Sequence, residues 1–221
     1  MATTYAVDIR RLSYPEPWRI ARGGGFLVAA GHKLLGIPRN LATRVTRLDS
    51  LTRVAEGDVP PDVRGLVGQS IAEWQALGFA LCFYYTIPAV RPGNRSLAAA
   101  LLSADGAMVA QVLFVEVSLQ GITRREVALN CFIPMSDGSV LGTTTERRRF
   151  NPPPGFRAVR LPGRPPAELY KRALREVRGA AGSYPVAQTP QNLPDLIVGI
   201  NQKHVDYQVS RGVYVPVDAG L

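Results

Sequence analysis

Two Asp-Gly pairs, each lying between apolar segments, constrain the fold more than any other feature of this sequence. They are Asp105-Gly106 and Asp137-Gly138. Aspartate and glycine both tolerate a positive φ angle, which the tightest turns between antiparallel strands require, so each pair predicts a β-hairpin. The segments that these turns separate are predicted strands, at residues 97–103, 108–117, 126–133 and 140–146.

An alternating segment before these strands extends the predicted sheet. Its larger side chains fall at every second position: Phe79, Leu81, Phe83, Tyr85 and Ile87. This period predicts a half-buried strand. The sequence therefore predicts an α+β fold, with an antiparallel meander of about five strands between residues 79 and 146 that is flanked by helices. Residues 156–161 could add a sixth strand at the edge.

One helix is predicted before the meander in sequence, and another after it. Pro60, Pro61 and Asp62 suit the start of a helix, and Gly78 suits its end. Between them, apolar residues recur at spacings of three and four, as on an amphipathic helix. A second helix is predicted to begin at Pro166, with one apolar and one basic side.

The two faces of the predicted sheet should differ in burial. An antiparallel meander usually buries one face and leaves the other in water. We therefore expect the helices that contain Trp74 and Leu174 to cover one face. Phe79, Leu81 and Phe83 should point to that core, because alternate residues of a strand share one side.

The sequence divides into three predicted parts. Residues 1–60 form an irregular or helical N-terminal extension, in which 26–37 predict a short helix and 41–54 fit either a strand or a helix. Residues 61–180 form the α+β core domain. Residues 181–221 form a linker and a C-terminal helix at about 194–211.

Positive charge is concentrated after the meander. The chain has a net charge of +9, and residues 146–180 carry 10 basic and 3 acidic side chains. Arginine forms planar, bidentate contacts with phosphates and carboxylates. The candidate anion-binding residues are Arg147, Arg148, Arg149, Arg157, Arg172 and Arg175. The alternative is a solvated surface whose arginines pair with nearby acids.

No catalytic or cofactor motif is found. The segment from Gly25 to Lys33 superficially resembles a phosphate-binding loop, but its spacing and the absence of a hydroxyl after the lysine exclude that site. The residues that most often bind zinc are dispersed: His32, His204, Cys82 and Cys131. The sequence thus predicts no catalytic residue, no metal site, no cofactor and no enzymatic activity.

The cysteines, the apolar segments and the N-terminus together predict where in the cell the protein is located. Cys82 and Cys131 lie in apolar strand-like segments, so we expect them to be buried, free and reduced. The apolar segments are too short to span a bilayer, and the N-terminus lacks the pattern of a secretory signal. These features predict a cytoplasmic protein without a transmembrane segment.

Residues 77–177 resemble an uncharacterised α+β domain of planctomycete-type bacteria. The resemblance is carried by four motifs: Leu77-Gly78-Phe79, Ser103-Ala104-Asp105-Gly106, Ser136-Asp137-Gly138-Ser139-Val140-Leu141-Gly142-Thr143-Thr144, and Pro166-Ala167-Glu168-Leu169. It implies a helix, a meander with Asp-Gly turns and a C-terminal helix. It implies no site residues.

Three functions fit the sequence. The first is a non-enzymatic binding or scaffolding module whose partner is a protein or an anionic polymer, contacted through the basic surface. The second is a nucleic-acid or anionic-surface binder, for which salt dependence would be diagnostic. The third is an enzyme of unfamiliar type, which would need a deep pocket with perturbed titratable groups.

Overall fold

The computed structural model describes residues 3–13, 15–20, 40–88, 94–119, 122–147, 150–180 and 182–217. The described strands are β1 (Thr4–Asp8), β2 (Asn40–Thr46), β3 (Thr52–Val54), β4 (Phe79–Thr86), β5 (Arg95–Ser103), β6 (Val109–Leu119), β7 (Ile122–Pro134), β8 (Val140–Thr144), β9 (Phe156–Arg160) and β10 (Tyr214–Pro216). The described α-helices are α1 (Pro15–Ile20), α2 (Pro61–Ala76), α3 (Pro166–Arg178) and α4 (Leu193–Ser210). The predicted helix at 26–37 lies outside the described residues.

The chain forms two compact units. Unit 1 comprises Met1–Asp49, Arg147–Pro153 and Ile197–Leu221, and unit 2 comprises Ser50–Glu146 and Pro154–Leu196. The structure thus groups the chain differently from the three consecutive parts that the sequence suggested. The predicted C-terminal helix is confirmed as α4, which contributes residues to both units.

Unit 1 contains a small antiparallel sheet. Strand β1 lies between β2 and β10. Its apolar core is formed by Tyr5, Val7, Ile9, Leu12, Phe150, Val205, Val213 and Tyr214. The sequence did not predict β1 or β10, because strands of five and three residues are too short to show a clear period.

Unit 2 contains a seven-stranded sheet in the order β3-β4-β5-β6-β7-β8-β9. Strands β3 to β8 are antiparallel to their neighbours, whereas β9 is parallel to β8. The predicted meander is therefore present within a larger, mixed sheet. The prediction of a purely antiparallel five-stranded sheet is wrong, since β3 and β9 extend it at both edges.

The connection between β8 and β9 explains the parallel pair. Parallel neighbours need a long crossover, whereas a tight turn can join only antiparallel ones. Eleven residues separate Thr144 from Phe156, and seven of them, Arg147–Pro153, belong to unit 1. The chain then returns beside the start of β8, where the Val140 N–H donates to the Gly155 carbonyl at 3.0 Å.

Both Asp-Gly turns have the predicted conformation. Gly106 and Gly138 have φ angles of 71° and 80°. In each turn the aspartate carboxylate accepts a hydrogen bond from a serine hydroxyl at 2.6 Å. The hairpin predictions at these two sites are confirmed, because strands β5 and β6, and strands β7 and β8, pair directly across the turns.

Helices α2 and α3 cover one face of the sheet, as predicted. Helix α2 contacts β4, β5 and β6, and helix α3 contacts β7 and β8. Trp74 is fully buried, and its ring packs edge-on against Phe79 with 4.9 Å between centroids. The Thr143 hydroxyl donates to the Leu169 carbonyl at 3.1 Å, which fixes the first turn of α3 over β8.

A β-bulge corrects the predicted orientation of Phe83. The register between β4 and β5 shifts between Leu81 and Phe83, so Cys82 is an extra residue in its strand. Phe79 and Leu81 belong to the core under the helices, as predicted. Beyond the bulge Tyr84 takes that side, and Phe83 points to the opposite face.

The opposite face of the sheet is also buried in its middle. Ala98 and Ala100 are fully buried, and Tyr85 is 1% exposed. The Tyr85 hydroxyl accepts a hydrogen bond from the Gln111 side-chain amide at 2.9 Å. The prediction of a solvated second face is therefore wrong here. Strands β5 and β6 carry apolar or small residues at both odd and even positions, which is typical of a sheet buried on both faces.

Candidate functional site

The predicted anion-binding arginines are divided between the two units. Arg148 and Arg149 lie outside the described residues, and Arg147 belongs to unit 1. The other three predicted arginines all belong to unit 2. Only for these three does the structure describe a common surface.

Strand pairing and helix direction place Arg157, Arg172 and Arg175 on one side of unit 2. Arg157 lies on the edge strand β9, and two residues further along the strand Val159 pairs with Thr143. The hydrogen bond from Thr143 puts Leu169 at that same level. After α3 the chain lies beside the start of β8, where the Ser136 N–H donates to the Tyr184 carbonyl at 2.9 Å, so α3 runs back along the sheet.

Element geometry gives the distances along this side. Arg157 lies two residues before Val159 on β9, and two strand residues span about 6.6 Å. Arg157 is therefore about 6.6 Å from the level of Leu169, measured along the strand. Helical rise puts Arg172 and Arg175 about 4.5 Å and 9 Å beyond Leu169. The edge-strand arginine therefore lies at a level between the two helix arginines.

Exposure and pairing distinguish these arginines. Arg172 is half-buried and forms an ion pair with Glu176 at 2.7 Å. Arg157, Arg175 and Arg178 are exposed, and none of them forms an ion pair with another described residue. We call Arg157, Arg172, Arg175 and Arg178 the basic edge.

A cleft of about 540 Å³ lies elsewhere on unit 2, between α2, β7 and the loop that joins β9 to α3. This volume is within the range of about 300–1,000 Å³ that is typical of ligand sites. Its walls are Leu66, Ser70 and Glu73 on α2, and the loop from Arg160 to Pro166. Its floor includes Glu126, Val127 and Leu129 on β7.

The floor of this cleft is a free strand edge. Strand β8 pairs with β7 only from Asn130 to Pro134. One further contact follows: the Leu129 N–H donates to the Thr145 hydroxyl at 2.8 Å, and the Thr145 N–H donates to the Leu129 carbonyl at 2.9 Å. From Val127 back towards the start of β7, no other described strand pairs with this edge.

Charged groups of both signs line the cleft. Arg160 donates through Nε to the Glu146 carbonyl at 3.1 Å, and Arg164 is exposed. On the opposite side, Glu73 accepts a hydrogen bond from the Gln69 amide at 3.0 Å. Pro165 and Pro166 open helix α3 without N–H groups, so any anion here would be bound by guanidinium groups.

A network of ion pairs joins the first turn of α2 to the sheet. Glu116 lies between Arg95 at 2.8 Å and Arg125 at 2.6 Å, and Arg95 also contacts Asp62 at 3.0 Å. Hydrogen bonds from Arg95 and then Arg125 lower the pKa of Glu116 from 4.5 to about 2. This carboxylate stays ionised, so its role in the structure is to anchor α2.

A buried carboxylate organises unit 1. Glu16 is fully buried and forms an ion pair with Arg211 at 2.6 Å. It also accepts hydrogen bonds from the backbone N–H groups of Ser13 at 2.6 Å and Asn151 at 2.7 Å. Burial alone would raise the pKa of Glu16, but these bonds outweigh it and lower that pKa to about 2.

Gln208 completes this buried network. Its side-chain amide donates to the Asn151 carbonyl at 2.6 Å, and its carbonyl oxygen accepts from Arg211 at 2.7 Å. The network thus joins three segments that are far apart in sequence, around residues 13–16, 151 and 208–211. None of its buried side-chain nitrogen and oxygen atoms lacks a hydrogen-bond partner, which is typical of a structural and not a catalytic cluster.

The cysteines are free, and one is buried as predicted. Cys131 is fully buried, and burial raises its pKa to about 12. Cys82 is only half-buried, because it lies at the bulge, and burial raises its pKa as well. Over the described ranges, no three side chains of His, Cys, Asp or Glu are grouped closely enough to hold a metal ion.

The cleft and the Glu16 network were missed by the sequence predictions. The predicted strand at 126–133 is shorter than β7, and the polar residues Thr123, Arg124 and Arg125 hid its first half. Glu16 lies between two prolines, a pattern that predicts a turn and gives no indication of a buried charge.

Comparisons with protein-family models, curated proteins and solved structures found no match. The resemblance to a planctomycete-type domain therefore stays a prediction. None of the helices in the described part of the chain is long and apolar enough to cross a membrane.

Proposed function

We propose that this protein is a non-enzymatic binding module that contacts an anionic partner through the basic edge. The observation that carries this proposal is the pair Arg157 and Arg175. Both are exposed on neighbouring elements, and neither is paired with a carboxylate of the described chain. An arginine in this state can form charge-assisted, bidentate bonds with an incoming carboxylate or phosphate.

The acids around the basic edge leave most of its charge in place. Residues 154–180 carry seven basic and two acidic side chains. The two acids are Glu168, which pairs with Lys171 at 3.4 Å, and Glu176, which pairs with Arg172. The surface therefore keeps a net positive charge, which raises the local concentration of anions.

An acidic protein or polymer is favoured over single-stranded nucleic acid. Proteins that bind single strands stack bases on exposed aromatic rings. Phe150 is buried in the core of unit 1, and Phe156 is half-buried. The aromatic residues nearest the basic segment in sequence thus give little support for a stacking surface.

The titratable groups support a binding role over catalysis. A general acid or base works best with a pKa near the working pH. The pKa values of Glu16 and Glu116 are instead lowered to about 2, and those of both thiols are raised. Each carboxylate is held ionised by an arginine, which suits a structural ion pair.

The test compares two variants with the same loss of charge. Arg157→Ser/Arg175→Ser removes two charges from the basic edge. Arg64→Ser/Lys203→Ser removes two exposed charges that lie outside both the basic edge and the cleft. On a heparin column we expect the first variant to elute at clearly lower salt than the wild-type protein, and the second to elute close to it. Equal shifts for both variants would show that net charge alone governs retention.

Competition identifies the partner class. Polyglutamate and a single-stranded oligonucleotide of equal charge would be titrated against the heparin-bound protein. Displacement by polyglutamate at the lower concentration supports an acidic protein partner. Stronger displacement by the oligonucleotide would replace that partner with nucleic acid.

A further inference from the structure

The free edge of β7 presents main-chain groups to the cleft. The N–H and C=O of Leu129 both point to the β8 side, where they bind Thr145. In an antiparallel ladder, every second residue points its main-chain groups in the same direction. Val127 and Arg125 therefore direct their N–H and C=O groups to that side, where no described residue pairs with them.

We infer that an extended peptide from a partner protein binds in this cleft as an added strand on β7, with acidic side chains facing Arg160 and Arg164. Such strand addition gains affinity from main-chain hydrogen bonds and specificity from alternate side chains. The inference goes beyond the basic edge, because it uses another surface and main-chain groups.

The side walls of the cleft suit a peptide strand. Alternate side chains of an added strand point to opposite sides of the sheet. On the side covered by helices they would meet Leu66, which is 43% exposed, together with Val127. An apolar side chain placed there would bury apolar surface on both partners.

The charged side chains in and beside the cleft favour an acidic peptide over a basic one. Arg160 and Arg164 line one wall, and Arg124 on β7 is 77% exposed. The two acids of the cleft are partly engaged, because Glu126 lies 3.8 Å from Arg124 and Glu73 binds Gln69. A peptide with alternating acidic and apolar residues complements this arrangement, whereas a basic peptide would be repelled by the arginines.

The probe is an eight-residue fluorescent peptide of alternating aspartate and valine with blocked ends. We expect it to bind, and a lysine-valine peptide of the same length to bind at least about tenfold more weakly. Two further versions carry N-methyl groups on alternate amides, in either phase. Only one phase should lose binding, because an added strand uses one of its edges. Equal binding of both methylated versions would contradict strand addition.

Protein variants separate main-chain from side-chain contributions. Val127→Pro removes an N–H that the sheet does not use, so the fold should persist while peptide affinity falls. Arg160→Ser/Arg164→Ser should also weaken binding, and Arg157→Ser/Arg175→Ser should not. The last variant distinguishes this inference from the proposed function, since it alters the basic edge and leaves the cleft intact.

Amide hydrogen exchange on the wild-type protein decides the question even if the proline variant does not fold. The amides of Val127 and Arg125 should exchange rapidly in the free protein and become protected when peptide saturates it. Those of Glu126 and Ala128, which face β6, should be protected in both states. Unchanged exchange at Val127 and Arg125, or no peptide binding at all, would overturn the inference.

Discussion

Glu16 joins three segments of unit 1, because it binds Ser13, Asn151 and Arg211. Removing one partner of a buried ion pair leaves the other charge unpaired, which costs about 3–5 kcal/mol. We therefore expect Glu16→Gln to lower the free energy of unfolding by that amount in urea titrations. The control is Asp206→Asn, which breaks a solvent-exposed pair with Arg47 at 3.0 Å and should change stability little. Similar losses in both variants would contradict the role assigned to Glu16.

The same carboxylate predicts a pH dependence. The pKa of Glu16 is about 2 in the folded protein against an ordinary value of 4.5. A lowered folded-state pKa stabilises the protein above the ordinary value, and this stabilisation is lost as the pH falls towards 2. The free energy of unfolding should thus fall between about pH 5 and pH 2. In Glu16→Gln it should fall less steeply, and an unchanged slope would count against the ion pair.

The two Asp-Gly turns differ in one testable way. Gly106 and Gly138 both have positive φ angles, which strain any residue with a side chain. A Cβ atom at Gly106 would also collide with the Gln188 carbonyl, whereas nothing lies within 4 Å of one at Gly138. Gly138→Ala should cost about 1 kcal/mol, and Gly106→Ala clearly more. Thermal unfolding of both variants measures the two losses of stability. A larger loss for Gly138→Ala than for Gly106→Ala would contradict this prediction.

At the scale of elements, short sequence patterns predicted the helix ends and the hairpins, because interactions between residues close in sequence determine both. The prolines at its start and the glycine at its end predicted the bounds of α2 to within a residue or two. The Asp-Gly turns predicted the two hairpins. The parallel pairing of β9 and the bulge at Cys82 have no local signal, because they depend on strands distant in sequence. The basic edge was predicted only in part, since strand register, and not composition, places Arg157 beside α3.

One hydrogen bond sets the position of α3, and it can be removed without changing side-chain volume much. The buried Thr143 hydroxyl donates to the Leu169 carbonyl. Thr143→Val should lower the free energy of unfolding by about 0.5–1.5 kcal/mol. Faster amide exchange should accompany this loss in the first turn of α3 and not in α2. Uniform exchange in both helices would show that the bond does not position α3.

At the scale of the whole molecule, charge is unevenly shared. Unit 1 carries 13 basic and 5 acidic side chains, whereas unit 2 carries 13 and 12. The basic edge is thus a local excess on a nearly neutral unit. Selective anion binding there would have to come from the arrangement of a few arginines, and not from net charge.

The most direct measurement of this claim is the salt dependence of heparin affinity. Each lost contact between a basic side chain and a polyanion lowers the slope of log affinity against log salt by roughly one. We predict that Arg157→Ser/Arg175→Ser lowers the slope by about two, and that Arg64→Ser/Lys203→Ser leaves it close to that of the wild-type protein. An unchanged slope in the first variant would contradict the basic edge as the binding surface.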